Sequence, residues 1–269
     1  MPDADPQEEL ATLVSALRAH LELCAASGAT GFVEGASTAS PDTPSDPRNA
    51  VSPPASAPAA RPAPAAASRP SASPRNADEA RVRLEILAKE ASACSRCGLH
   101  AGRKQAVFAR GTGSSGLCFV GEGPGADEDE QGSPFVGKAG QLLDKMIEAM
   151  GLGRDEVYVC NIVKCRPPQN RKPEPDEMSA CRPYLTEQIA LIDPKVIVAL
   201  GATAVEGLIG ASGGITRLRG NWRLYRGKIA VMPTFHPAYL LRTPEAKREV
   251  WQDLQEVLRH MGRSVPARK

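Results

Sequence analysis

The chain has 269 residues, 42% of them hydrophobic and 4% aromatic, with 33 Lys and Arg against 31 Asp and Glu for a net charge of +2. That leaves room for one mid-sized domain plus additional chain, and no run approaches the roughly 18 to 20 apolar residues of a bilayer crossing. The opening MPDADPQEEL is acidic, opposite to the basic start of a signal peptide, so a soluble, cytoplasmic protein without a membrane partner is expected. Seven cysteines in such a chain point to thiols or metal ligands rather than disulfides, because the cytosol keeps thiols reduced. The charge is uneven, with 12 Lys and Arg against 4 Asp and Glu from Arg217 to Lys269. A basic end suits a polyanionic partner and equally suits a solvated surface, and composition does not choose between them.

In chain order, residues 1–35 contain an expected amphipathic helix from Glu8 to Ala26, with Leu10, Leu13, Val14, Leu17, Leu21 and Cys24 at helical spacing. Its apolar face has three uses: docking on the main domain, self-association, or meeting a protein partner. Residues 36–76 hold 30 Ala, Pro or Ser among 41 positions. Ten prolines there break helix and ladder alike, so a disordered linker is expected. Residues 77–269 then form the main domain. Helices fit Asp78 to Glu90, Ala139 to Met150, Pro175 to Ile192, Ala202 to Ile209 and Pro244 to His260. Strands fit Leu117 to Val120, Val157 to Cys160, Lys195 to Leu200 and Ile229 to Pro233. Short apolar strands alternating with helices predict an α/β fold. Its centre is a mostly parallel four-stranded sheet with helices on both faces, in three layers. Ligands of such folds gather at the carboxyl ends of the strands.

The segments after those strands carry the chemistry. The first strand runs into Gly121-Glu122-Gly123-Pro124-Gly125, then an acidic run and Gly132-Ser133-Pro134-Phe135-Val136-Gly137. Closely spaced glycines let backbone amides approach a ligand, yet no phosphate-loop pattern is present and four consecutive acids oppose a phosphate. Phe135 either stacks on a planar ligand or closes the loop as a core aromatic. Asn161 at the end of the second strand offers a donor and an acceptor to a base edge, or caps a turn. Cys94 and Cys97 form a C-x2-C pair, and Cys165 and Cys181 flank a proline-rich segment; four thiolates of this kind bind zinc or an iron–sulfur cluster. Cys118 and Cys160 fall within strands and read as core. The last strand leads to Phe235-His236-Pro237-Ala238-Tyr239-Leu240-Leu241-Arg242, a histidine beside two leucines and an arginine.

Taken together, GEGPGADEDEQGSPFVGKAGQLLD, NIVKCRPPQNRKP with its following ACRP, the leading C-x2-C and HPAYLLR resemble the family 4, iron–sulfur uracil-DNA glycosylases over about Asp78 to Met261. The resemblance implies that Cys94, Cys97, Cys165 and Cys181 ligate a structural [4Fe–4S] cluster. It implies that Phe135 stacks on a flipped-out uracil beside Gly121, Glu122 and Gly123, that Asn161 reads its Watson–Crick edge, and that His236 donates to O2. Leu240 is the expected wedge filling the vacated stack, with Leu241 second, and Arg242, Arg171 and Lys172 are expected at the DNA backbone. Gly123 stands where family 1 enzymes have a water-orienting aspartate, so the acid comes from elsewhere, with Glu122 and Glu128 as candidates, or is dispensable; Glu128 alternatively walls off C5. A basic, His-containing insertion that marks cross-linking relatives is missing between Lys164 and Cys181, so turnover is expected. The implied substrate is uracil-containing DNA, single- or double-stranded, met by a monomer. The competing readings are a catalytically inactive iron–sulfur nucleic-acid-binding module of the same fold and, further off, a zinc-stabilised nucleotide hydrolase.

Overall fold

Residues 117–121 read Leu-Cys-Phe-Val-Gly, and successive side chains of such a run need cover on opposite faces of a sheet. In the computed structural model, which describes residues 77–266, both faces are covered. The strands are β1 (Leu117–Gly121), β2 (Tyr158–Asn161), β3 (Val196–Leu200), β4 (Arg223–Tyr225) and β5 (Ile229–Thr234). They lie in the order β2-β1-β3-β5-β4, with all neighbours parallel except the β4–β5 pair. The helices are α1 (Ala77–Ser92), α2 (Ala126–Gln131), α3 (Lys138–Ala149), α4 (Pro175–Ile192), α5 (Ala202–Ile209), α6 (Ile215–Leu218), α7 (Pro237–Arg242) and α8 (Lys247–His260).

The alternation along the strands divides the core in two. Cys118, Val120, Ile197 and Ala199 join Leu87 of α1, Leu185 and Ile189 of α4 and Val205 of α5 on one face. Leu117, Phe119, Val196, Val198 and Leu200 join Leu143 and Ile147 of α3 and Val250, Leu254 and Val257 of α8 on the other. Each such buried aliphatic chain contributes about 1.5 to 3 kcal/mol, and their spacing on α8, four and three residues apart, is the stripe a docked helix requires. The expected three-layer α/β/α architecture is therefore present.

The sheet has five strands rather than the four expected. The additional strand, β4, has three residues, and the side chains of Arg223 and Leu224 are exposed. A hairpin edge of this kind carries no apolar run to announce it. The short helices α2, α6 and α7 lie in segments read as loops, and the expected Pro244–His260 helix opens as a 3-10 turn, Pro244–Ala246, before α8. The helix of residues 1–35 and the linker of residues 36–76 lie outside the described residues. Among the described residues no helix is long and apolar enough to cross a membrane.

From β1 the chain crosses to β2 on one side and then to β3 on the other. That reversal opens a crevice at the carboxyl ends of the strands.

Candidate active site

Four strands converge on that crevice. β1 ends at Gly121, β2 at Asn161 and β3 at Leu200 ahead of Gly201, while β5 runs through Thr234 toward His236. A cavity of about 490 Å³ lies over them, lined by Glu122, Gly123, Glu128, Phe135, Asn161 and His236 among others. Its size suits a small planar ligand.

Gly121 is the floor. A Cβ there would sit 2.4 Å from Asn161 Oδ1 and 2.6 Å from Phe135 Cζ, so the two side chains meet over a bare backbone. Phe135 is 5% exposed and holds φ at 56°, an uncommon setting for a bulky residue. The following helix fixes it: at Gly140 of α3 a Cβ would fall 1.9 Å from the Phe135 carbonyl oxygen, so only glycine lets the loop pack this closely. The Phe135 ring lies 5.6 Å from the His236 ring at 31°. It closes the loop as a core aromatic and also lines the cavity, so the two readings of Phe135 are compatible.

Asn161 is 2% exposed, and its Oδ1 is buried without a hydrogen-bond partner. An unsatisfied buried acceptor costs about 1 to 3 kcal/mol; one lining a cavity is set for an incoming donor. His236 is the N-cap of α7, and its Nδ1 accepts the Ala238 N–H at 3.1 Å. Desolvation, reinforced by the Arg242 charge, pushes the imidazole pKa down to about 4. The ring is therefore neutral at pH 7 with its proton on Nε2, a donor rather than an acid.

Glu128 lines the cavity but is committed elsewhere. Its Oε1 accepts from Val136 N (3.0 Å) and Gly137 N (3.1 Å), and its Oε2 from Gly125 N (3.1 Å). Three main-chain donors make this carboxylate the tie that closes the loop around Phe135. Glu122 lines the cavity without such a commitment, as does Gly123.

On the far side of β2, Cys94, Cys97, Cys165 and Cys181 all line one smaller cavity together with Arg96, Arg103, Lys164 and Tyr184. All four are free thiols. Arg103 Nη1 donates to Cys165 Sγ at 3.0 Å and the Lys164 N–H to Cys181 Sγ at 3.3 Å. Burial pushes the Cys165 thiol up and the Cys181 thiol to about 11. Cys118 and Cys160 are wholly buried in the sheet, as expected.

At the cavity mouth, α7 reverses the expected order of its leucines. Leu240 is 1% exposed and belongs to the core, whereas Leu241 is 46% exposed. One helical position turns the side chain by about 100°, so Leu240, the expected wedge, is packed in the core, and Leu241 is the leucine exposed to solvent.

Residues 108–255 match the uracil DNA glycosylase superfamily. The type-4 uracil-DNA glycosylase of Thermotoga maritima is 46% identical over 176 residues, covering 64% of this chain and 92% of that protein. The type-4 enzyme of Sulfurisphaera tokodaii is 43% identical over 65% of this chain and 83% of its own length, and that of Saccharolobus solfataricus 42% over 65% and 84%. The chain belongs to the type-4 uracil-DNA glycosylases.

One cavity thus brings together Glu122, Gly123, Phe135, Asn161 and His236, with Gly121 packed directly against Asn161 and Phe135. Arg242 also lines it. Arg171 reaches the rim but is held by Glu177, with Nη1 and Nη2 2.8 and 2.6 Å from its two carboxylate oxygens, while Lys172 pairs with Glu206 at 2.6 Å. Both expected backbone cations are therefore braced by carboxylates in the free protein. Sequence reasoning missed Asn170, Gly201 and Tyr239 in the lining. Asn170 sits at φ 55°, a setting Asn tolerates, and nothing in the sequence distinguishes it from an ordinary turn residue.

Proposed function

We propose that the chain hydrolyses the N-glycosidic bond of deoxyuridine in DNA, and that Asn161, Phe135 and His236 bind and activate the extruded base. The observation that carries this reading is the orphaned Asn161 Oδ1. Uracil presents an N3–H donor beside its O4 acceptor, which pairs with an amide offering Oδ1 and Nδ2. Cytosine reverses both groups and leaves the buried amide unpaired, a mismatch that discriminates strongly.

Phe135 supplies the stacking face. His236, neutral and with its proton on Nε2, donates to O2, where negative charge grows as the glycosidic bond breaks; one well-placed donor is worth about 3 to 4 kcal/mol. Stabilising the departing uracil as an anion leaves an oxocarbenium-like sugar that water captures. Leu241 fills the gap left in the stack, and the basic C-terminal part of the chain faces the polyanion. The same reading takes the protein as a cytoplasmic monomer acting on single- or double-stranded DNA, with a protein partner for the helix expected from the sequence of residues 1–35.

A [4Fe–4S] cluster held by Cys94, Cys97, Cys165 and Cys181 fits the donor set: four free thiols share a cavity, and two accept N–H bonds. Among the described residues no three His, Cys, Asp or Glu side chains are grouped closely enough for a single metal ion. Bound there, a cluster would join the segment after α1 that carries Cys94 and Cys97 to Cys165 and to Cys181 of α4, a structural role, since glycosidic hydrolysis transfers no electron.

The test is incubation with single- and double-stranded oligonucleotides carrying one uracil, then alkaline cleavage, beside a thymine control and an Asn161→Ala variant. Cleavage at uracil alone, lost in the folded variant, is expected. Full activity of Asn161→Ala would overturn the assignment of the amide, and no cleavage by a folded, iron-loaded protein would favour a binding module.

A further inference from the structure

Lys164 has no place in the chemistry above, yet it is the one lysine buried among the described residues, 1% exposed. Its Nζ donates to the main-chain oxygen of Asn161 at 2.7 Å and stands 5.9 Å from the centre of the Phe108 ring. None of the ion pairs among the described residues involves it. A buried ammonium without a carboxylate is expensive, and what it faces is informative. Lys164 is among the residues lining the four-cysteine cavity, and its main-chain N–H donates to Cys181 Sγ. The backbone on the other side is fixed too, because the Lys164 carbonyl accepts from Val107 N at 2.8 Å.

The residue therefore touches both sites. One end of Lys164 is built into the thiol cluster, and the other closes the turn that begins at Asn161. Within that turn, Ile162 N donates to Gly121 O at 2.9 Å and Val163 N to Glu122 O at 3.2 Å, which leaves the Asn161 carbonyl to the ammonium.

We propose that Lys164 is a positioning residue that holds Asn161 in its base-reading orientation. This rests on the reading of Asn161 given above. Asn161 is aimed by its backbone, and the Lys164 bond is what restrains that backbone at the strand end. Lys164 thereby connects the cysteine cavity to the strand end that carries Asn161.

Lys164→Met keeps the length and removes donor and charge. On iron-loaded, full-length protein it is expected to lower kcat by about 10- to 100-fold, the cost of a small misplacement of a catalytic group, with KM nearly unchanged. Visible absorbance per chain should persist. Placed on Asn161→Ala, the same change should cost less than about two-fold, because residues acting through one another are non-additive. An unchanged kcat in Lys164→Met would overturn the proposal, and so would the same loss in both backgrounds, which marks a merely structural role. If Asn161→Ala itself retains activity, the reading of Asn161 falls first. Should Lys164→Met not fold, isotope-labelled lysine in the wild type decides. The ammonium signal protected from solvent should shift when uracil is added, and not in Asn161→Ala; no shift in the wild type would overturn the proposal.

Discussion

The Nδ1 of His236 accepts the main-chain N–H of Ala238, so the helix that carries Leu240 and Leu241 also sets the tautomer of the histidine. With Nδ1 engaged, the proton resides on Nε2. Desolvation of the buried ring, reinforced by the Arg242 charge, lowers its pKa to about 4.

A pH prediction follows from this arrangement. For an imidazole acting as a neutral donor, kcat/KM for uracil excision should be level through pH 6.5, where a free histidine titrates, and decline only toward pH 4. The sign for stability agrees. The folded state holds the His236 pKa below its unfolded value, so the unfolded chain binds more protons between about 6.5 and 4. Stability contributed by this group is complete above 6.5 and is lost as pH falls through that window. A pH–rate profile with an inflection at 6.5 that disappears in His236→Gln would show that the imidazolium form matters.

Gly121 offers a test of the pocket floor. In Gly121→Ala the new methyl meets the Asn161 amide at 2.4 Å and the Phe135 ring at 2.6 Å, both closer than side chains tolerate. The two can yield only by moving into the cavity. The expected result is a loss of about 100-fold in kcat/KM with a stability cost of about 1 to 3 kcal/mol. Steady-state kinetics beside thermal melting separates the two, and wild-type kinetics in the variant would show that the cavity is not where the base sits.

Much of this was written in local sequence. The strands β1 and β3 announce themselves as apolar runs, and α4 begins at a proline and ends before Asp193, whose φ of 45° terminates it. Asn161, Phe135 and His236 were identifiable because each closes a strand-to-helix segment on one sheet edge. What stayed hidden depends on through-space contact. Nothing in the acidic run shows that Glu128 folds back onto three amides, or that Arg171 meets Glu177 one helix start later. Lys164 reads as a basic residue beside a cysteine, and only the fold turns its ammonium inward. Leu240 and Leu241 are identical in type, so their roles were set by the phase of α7 alone.

That phase yields a paired prediction. Leu241→Ala removes an exposed side chain, so melting should change by less than about 0.5 kcal/mol. Excision from double-stranded DNA should fall well below excision from single-stranded DNA, where no stack must be filled. Leu240→Ala empties a core position and should cost about 2 to 5 kcal/mol of stability. Parallel melting and two-substrate assays check both, and a strand-dependent defect in Leu240→Ala with none in Leu241→Ala would restore the order expected from sequence.

The cysteine site carries the last prediction. A thiol held up at about 11, as in Cys181, stays protonated at neutral pH unless a metal withdraws the proton. The N–H donors from Arg103 and Lys164 are placed for the anionic sulfur that results. Protein purified without oxygen should therefore be brown and contain iron with acid-labile sulfide. Cys181→Ser should lose the colour and melt at a lower temperature. Because cleavage of the glycosidic bond moves no electron, adding dithionite should leave the excision rate unchanged. A colourless, active protein holding one zinc per chain would reject the cluster, and a rate that follows the reductant would reject its structural role.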